Sequence, residues 1–216
     1  MIRVVIADDH EVVRAGFRML LEADPEVRVV GEAADGQQAY DLVLRERPEV
    51  LLMDISMPPG QSGLIACERI TGAFPATRVL IVTMFAEPEY LYFTLRSGAA
   101  GYLLKNSSAA ELRAAVHAVA DGGTYLHPKM AGELTRRLAQ EGEGGSGDAS
   151  YRQLTTRELE VLQLLARGFT NKEISEQVYL SVKTVEAYRS RIYAKLGFSS
   201  RADLVAYAIR HKLLNL

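Results

Sequence analysis

Short apolar runs rich in β-branched residues recur five times in the first half of the chain, at 4–6, 27–30, 50–53, 79–82 and 102–104. No other feature constrains the fold as tightly. Runs this short and predominantly apolar suit strands buried on both faces, as in a parallel sheet. Between them, apolar residues recur at helical spacing over 11–23, 36–46, 64–72, 87–97 and 108–121. Strand and helix in alternation predict a doubly wound α/β domain on a five-stranded parallel sheet. Such sheets bind ligands outside the carboxyl ends of their strands. Chemistry is therefore expected in the residues that end or follow each run.

Those residues are Asp8 and Asp9 after the first run, Asp54 after the third, Thr83 after the fourth and Lys105 after the fifth. Carboxylates converging in one crevice repel each other, and a hard divalent cation with oxygen ligands, Mg²⁺ above all, relieves that repulsion. An Asp beside such a cation, a hydroxyl and an ammonium can attack phosphorus and hold the resulting acyl phosphate. Each residue alone reads more readily as a helix cap or a structural contact; the five together do not.

The stretches Ile6-Ala-Asp-Asp-His10, Leu52-Met-Asp-Ile-Ser-Met-Pro58, Ile81-Val-Thr83 and Gly98-Ala-Ala-Gly-Tyr-Leu-Leu-Lys105 resemble the receiver domain of two-component response regulators, over roughly residues 1–122. The resemblance implies a flavodoxin-like fold, Asp54 as phosphoacceptor and Asp9 as a direct Mg²⁺ ligand. It implies that Asp8 acts through a metal-bound water and that Ser56 offers its backbone carbonyl. Thr83 and Lys105 would bind phosphoryl oxygens, and Tyr102 would reorient with Thr83 on activation. Asn106 stands where many receivers carry proline, and the loop 58–63 is one residue longer than the commonest form.

Residues 123–150 are expected to connect two domains, with a helical first part (129–140) and a Gly-rich flexible second part (141–150). Gly142, Gly144 and Gly147 spell a G-x-G-x-x-G, but no strand precedes them and no apolar helix follows, so no dinucleotide site is inferred.

From 151 to 216 every pattern is helical. Thr155-Thr-Arg-Glu158 and Thr170-Asn-Lys-Glu173 fit the capping box, Gly168 suits a helix C-terminus, and Ser181 and Ser200 can cap two further helices. A helix over 170–178, a turn at Tyr179-Leu180 and a longer helix over 181–196 make a helix-turn-helix, with Ile174, Val178, Val185, Ile192 and Leu196 as the buried stripe. Lys183, Thr184, Glu186, Ala187 and Ser190 face outward, flanked by Arg189, Arg191 and Lys195. A small helical bundle with solvated charges is the bland alternative. Residues 152–214 resemble the LuxR/NarL-type four-helix DNA-binding domain, through 154–162, 168–174 and 181–197. That resemblance implies that the helix 181–196 enters the major groove of double-stranded DNA. Lys183, Glu186 and Ala187 would read bases, and 200–212 would form a homodimer contact. Thr184, Ser190, Arg191 and Lys195 complete the expected DNA surface.

Charge follows the same division. Residues 151–216 carry eleven Lys/Arg against six Asp/Glu, a balance of +5, and 1–150 carry fourteen against twenty-one, a balance of −7. The single cysteine, Cys67, excludes an internal disulfide and a Cys-based zinc site and suits a reducing cytoplasm. No apolar run approaches the roughly 18 residues of a membrane helix, and the apolar start is too short for a signal peptide. A cytoplasmic, phosphorylation-switched transcription regulator is the expectation, with a sensor histidine kinase, DNA and RNA polymerase as partners and no membrane contact. A Mg²⁺-dependent phosphohydrolase is the rival, disfavoured because Ser56 stands where such enzymes carry a second acid. A DNA binder with a degenerate receiver is disfavoured because all five site positions are filled.

Overall fold

The computed structural model describes residues 1–58, 62–132, 150–211 and 213. Contacts divide the chain into two compact units, Met1–Glu133 and Leu134–Leu216.

In the first unit the elements alternate as the sequence predicts: β1 (Ile2–Ala7), α1 (Glu11–Glu22), β2 (Val27–Ala33), α2 (Gly36–Glu46), β3 (Val50–Met53), α3 (Gly63–Ala73), β4 (Arg78–Thr83), α4 (Pro88–Arg96), β5 (Gly101–Leu104) and α5 (Ala109–Ala120). A sixth strand, β6 (Tyr125–Leu126), adds to the edge. The sheet order is β2-β1-β3-β4-β5-β6 and every pairing is parallel. The sequence analysis counted five strands. Two residues are too few to show a period, and β6 exists because the Gly122-Gly123 turn after α5 returns the chain alongside β5.

Alternation along the strands divides the core between two faces. Val4, Ile6, Val27, Val29, Val50, Leu52, Leu80, Val82 and Leu103 pack with Leu21 of α1 and with Leu112, Ala115, Val116 and Val119 of α5. Val5, Leu51, Met53, Ile81 and Tyr102 point the opposite way and are fully buried, as are Val43 of α2, Ile70 of α3 and Phe93 of α4. Each such aliphatic side chain contributes about 1.5–3 kcal/mol by leaving water.

Order reverses between β1 and β3, which opens a crevice at their carboxyl ends. Backbone bonds carry the alignment past the strands themselves: Asp54 N–H donates to the Ala7 carbonyl at 2.9 Å and Lys105 N–H to the Thr83 carbonyl at 2.8 Å. The ends of β1 and β3, and those of β4 and β5, are thus held side by side.

The second unit is helical: a 3-10 turn (Ser150–Gln153), α6 (Thr156–Ala166), α7 (Asn171–Gln177), α8 (Val182–Leu196) and α9 (Arg201–Arg210). Thr155 with Glu158, Thr170 with Glu173 and Ser200 with Asp203 form capping boxes, and Ser181 caps α8. Gly168, at φ 100°, closes α6 with its N–H on Leu165 and that of Phe169 on Leu164. Leu154, Leu162, Ile174, Val178, Val185, Ile192 and Leu204 form the core, while Leu196 is half-buried.

Of the expected connecting segment, residues 128–132 are helical. The rest of the expected helix, the Gly-rich stretch and the G-x-G-x-x-G lie outside the described residues. Among the described residues no helix is long and apolar enough to cross a membrane.

Candidate functional site

The crevice gathers the acids and the lysine that the sequence placed after its strands. Asp8 and Asp54 are buried, at 1% and 6% exposure, and Asp9 is mostly so. The Lys105 ammonium stands between two of them, 2.6 Å from Asp8 Oδ2 and 2.9 Å from Asp54 Oδ2. Asp54 Oδ1 accepts the Ile55 N–H at 2.7 Å. Burial pushes the Asp54 carboxyl up to about 6, against the pull of Lys105. Burial also works against the Lys105 charge, but the Asp54 and Asp8 carboxylates outweigh it and hold the ammonium above its ordinary range. The arrangement is a poised one: a desolvated carboxylate stays reactive while one cation bridges it to a neighbour.

Donor atoms of Asp8, Asp9 and His10 lie within 4.8 Å of one another. Asp8 Oδ2 and Asp9 Oδ1 are buried and accept no well-directed hydrogen bond. Their near neighbours, Lys105 and the His10 ring at 2.8 Å from Asp9, sit at ion-pair distance without hydrogen-bond geometry. Buried carboxylate oxygens left in this state fit a hard cation with oxygen ligands. Asp54 is outside that tight group and joins Asp8 through Lys105. Ser56 is half-buried two residues after Asp54, and 59–61 of the following loop lie outside the described residues.

Thr83 and Tyr102 are both fully buried and meet at one backbone residue that the sequence analysis did not single out. Phe85 N–H donates to Thr83 Oγ1 at 3.3 Å, and the Tyr102 hydroxyl donates to the Phe85 carbonyl at 2.8 Å. Burial holds the Tyr102 phenol well above its ordinary range, so it remains a donor. The Phe85 ring stacks on Tyr90 with centroids 3.9 Å apart. Gly63 was also missed. Its N–H donates to the Ile55 carbonyl at 2.9 Å, and a Cβ there would lie 1.7 Å from the Asp54 backbone oxygen.

In the second unit α8 presents Lys183, Glu186, Ser190 and Arg191 exposed, and Thr184 and Ala187 half-buried. Thr184 Oγ1 lies 2.8 Å from Ser181 Oγ at the helix cap. Arg191 lies over the Tyr188 ring and Arg189 over that of Tyr193. Lys195 behaves differently from an open surface cation: its ammonium donates to Glu158 Oε2 at 2.7 Å. Glu158 is buried at 1% exposure. Burial opposes the Glu158 charge, but Lys195 and the Thr155 cap together bring its carboxyl below the ordinary range.

Comparison with known proteins agrees with this geometry. Residues 4–117 match the response regulator receiver domain family, and residues 152–208 match the bacterial regulatory proteins of the luxR family. The oxygen regulatory protein NreC of Staphylococcus carnosus is 47% identical over 215 residues, covering 99% of each chain. NreC of a Staphylococcus epidermidis strain is 48% identical, covering 98% of this chain and 99% of that one. RcsB of Salmonella enterica serovar Typhimurium, solved bound to the promoter P1flhDC with phosphomimetic BeF3-, is 31% identical with a TM-score of 0.68, covering 95% of this chain and 97% of that one. A further RcsB structure reaches a TM-score of 0.73 at 29% identity, covering 97% and 98%.

Proposed function

The chain belongs to the response regulators that join a receiver to a LuxR-type DNA-binding domain, and from that membership we propose which of its residues run the switch. This family is not one of conventional enzymes, so chemistry at the crevice serves regulation. The receiver spans 1–122, the connecting segment 123–150 and the DNA-binding domain 151–216.

Asp54 is the phosphoacceptor. Its carboxylate oxygen attacks the phosphorus of a phosphohistidine on a sensor histidine kinase; the P–N bond breaks, the imidazole leaves, and an acyl phosphate remains. Lys105 neutralises a phosphoryl oxygen from the position in which it already meets Asp54 at 2.9 Å, and the Thr83 hydroxyl donates to another. Asp8, Asp9, Asp54 and the Ser56 carbonyl would hold Mg²⁺, which supplies neutralising charge for the transferring oxygens. Thr83 and Tyr102 form the switch. Phosphorylation draws Thr83 inward, and the Phe85 backbone, bonded to both, passes the change on.

Output is through α8 in the major groove. Lys183, Thr184, Glu186, Ala187 and Ser190 face the bases, with Arg191 and the anchored Lys195 along the backbone. Glu186 accepts from a cytosine amino group. A homodimer, joined through α9 on DNA, spans two half-sites and acts on RNA polymerase. The DNA-bound state of RcsB, a relative matched over nearly the whole chain, supports this reading.

The observation that carries the proposal is the Lys105 ammonium bridging two buried aspartates at the strand ends. Phosphoryl incorporation from a small acyl phosphate with Mg²⁺ tests it. Asp54→Asn abolishes labelling, and chelation or Asp9→Ala does the same. Undiminished labelling of Asp54→Asn contradicts the assignment.

A further inference from the structure

Beside α8 the second unit contains a cavity of about 380 Å³ whose floor is apolar, from Leu165, Phe169 and Leu204, and whose rim carries Lys172, Arg189 and Arg201. All three cations are exposed. Among the described residues, none of them forms an ion pair with a carboxylate. The acids next to Lys172 and Arg201 are committed elsewhere: Glu173 accepts from the Thr170 backbone and hydroxyl, and Asp203 from Ser199 and Ser200. Glu186, three residues before Arg189, is exposed and makes no ion pair with it. Three cations drawn from three helices around one concavity, none of them in an ion pair, favour an anion between them.

We infer that this cavity receives a phosphodiester of the DNA backbone, on the opposite flank of α8 from Arg191. The inference rests on the proposed placing of α8 in the major groove. At 3.6 residues per turn, Lys183, Ala187 and Ser190 share one face of α8. Arg191 and Lys195, four apart, form one flank of that face, and Arg189 and Tyr193, also four apart, form the other. A helix in a groove about 12 Å wide meets a phosphate strand on each side. On the Arg191 flank the second cation, Lys195, already neutralises Glu158. The flank of Arg189 gathers more charge, because Lys172 and Arg201 line the same cavity and together with Arg189 outnumber the one carboxylate on that side, Glu186. Stacking over Tyr193, with 5.3 Å from guanidinium to ring centroid, holds Arg189 at the cavity edge. The apolar floor suits the deoxyribose carbons beside the phosphate.

Binding of the full chain to a random-sequence 30-base-pair duplex, titrated with salt, tests the assignment. Each lost phosphate contact reduces the slope of log K against log[salt] by about 0.9. The Arg189→Gln/Arg201→Gln double variant is expected to flatten the slope by about 2 and weaken binding at least about tenfold at low salt. Arg28→Gln, an exposed cation of β2 in the receiver, leaves the slope in place. Arg189→Lys/Arg201→Lys restores it, which would not follow from a folding defect. An unchanged slope in the Gln double variant, with a flatter one in Arg191→Gln, overturns the cavity and spares the groove placing of α8. Unchanged slopes in both overturn the groove placing and the cavity with it. Saturable binding of inorganic phosphate with no change in DNA slope makes the cavity a small-anion site and overturns the proposal equally.

Discussion

A methyl group at Gly63 would collide with the backbone oxygen of Asp54 at 1.7 Å, and backbone cannot yield as a flexible side chain does. Gly63→Ala is therefore expected to destabilise the first unit by about 1–3 kcal/mol and to slow phosphoryl incorporation at Asp54. Thermal melts and labelling rates on the same samples check both; unchanged values in each would show that the loop relaxes freely. Glu158 and Lys195 make a second residue-scale test. The Glu158 carboxyl lies below its ordinary 4.5 in the folded unit, so the unfolded chain takes up the proton first. Stability from the pair is complete above about 4.5 and is lost as pH falls past it and through the lower folded value. Lys195→Met should cost about 1–2 kcal/mol at neutral pH, because it leaves a buried carboxylate without its donor, and the difference should vanish on acidification. The chain has no tryptophan, so amide hydrogen exchange in α6 and α8 is the suitable readout. Asp8, Asp9, Asp54 and Lys105 were legible because each directly follows an apolar run. Gly63, Phe85 and the burial of Glu158 were not, since each depends on what a distant segment brings against it.

Among the elements, the turn between α7 and α8 carries a strained residue. Tyr179 sits at φ 52° while the Leu180 N–H donates to the Ser175 carbonyl at 3.0 Å, a helix ending that glycine serves better. A left-handed conformation costs a side-chain-bearing residue about 1–2 kcal/mol, against the greater freedom glycine loses on folding. Tyr179→Gly should therefore stabilise the second unit by several tenths of a kcal/mol up to about 1. Tyr179→Val, branched at Cβ, should destabilise it. Denaturant unfolding followed by circular dichroism orders the three, and Val above Tyr would contradict the strain. Helix starts were readable in advance, because Thr155, Thr170, Ser181 and Ser200 mark caps through local chemistry alone. The turn's strain and the two-residue β6 were hidden: neither a single φ angle nor a strand shorter than one alternation leaves a period in the sequence.

For the whole molecule, the acidic and basic halves read from the sequence correspond to the receiver and luxR-family matches and to the two compact units. Most of the segment expected to connect them, 133–149, lies outside the described residues. Two routes of coupling follow from the sequence: phosphorylation either uncovers α8 or creates a receiver dimer that pairs two DNA-binding domains. Uncovering requires isolated 151–216 to bind one half-site better than the unphosphorylated full chain does; dimerisation alone requires no such difference. Both routes share the central claim that a phosphoryl group on Asp54 raises DNA affinity. Its most direct test uses a two-half-site duplex selected from random DNA. The affinity of the full chain for that duplex is measured below saturation, before and after phosphorylation by a small acyl phosphate with Mg²⁺. Coupling free energies of about 1–3 kcal/mol predict roughly 5–150-fold tighter binding after phosphorylation, and no gain in Asp54→Asn. Equal affinity of the phosphorylated and unphosphorylated protein would contradict the account.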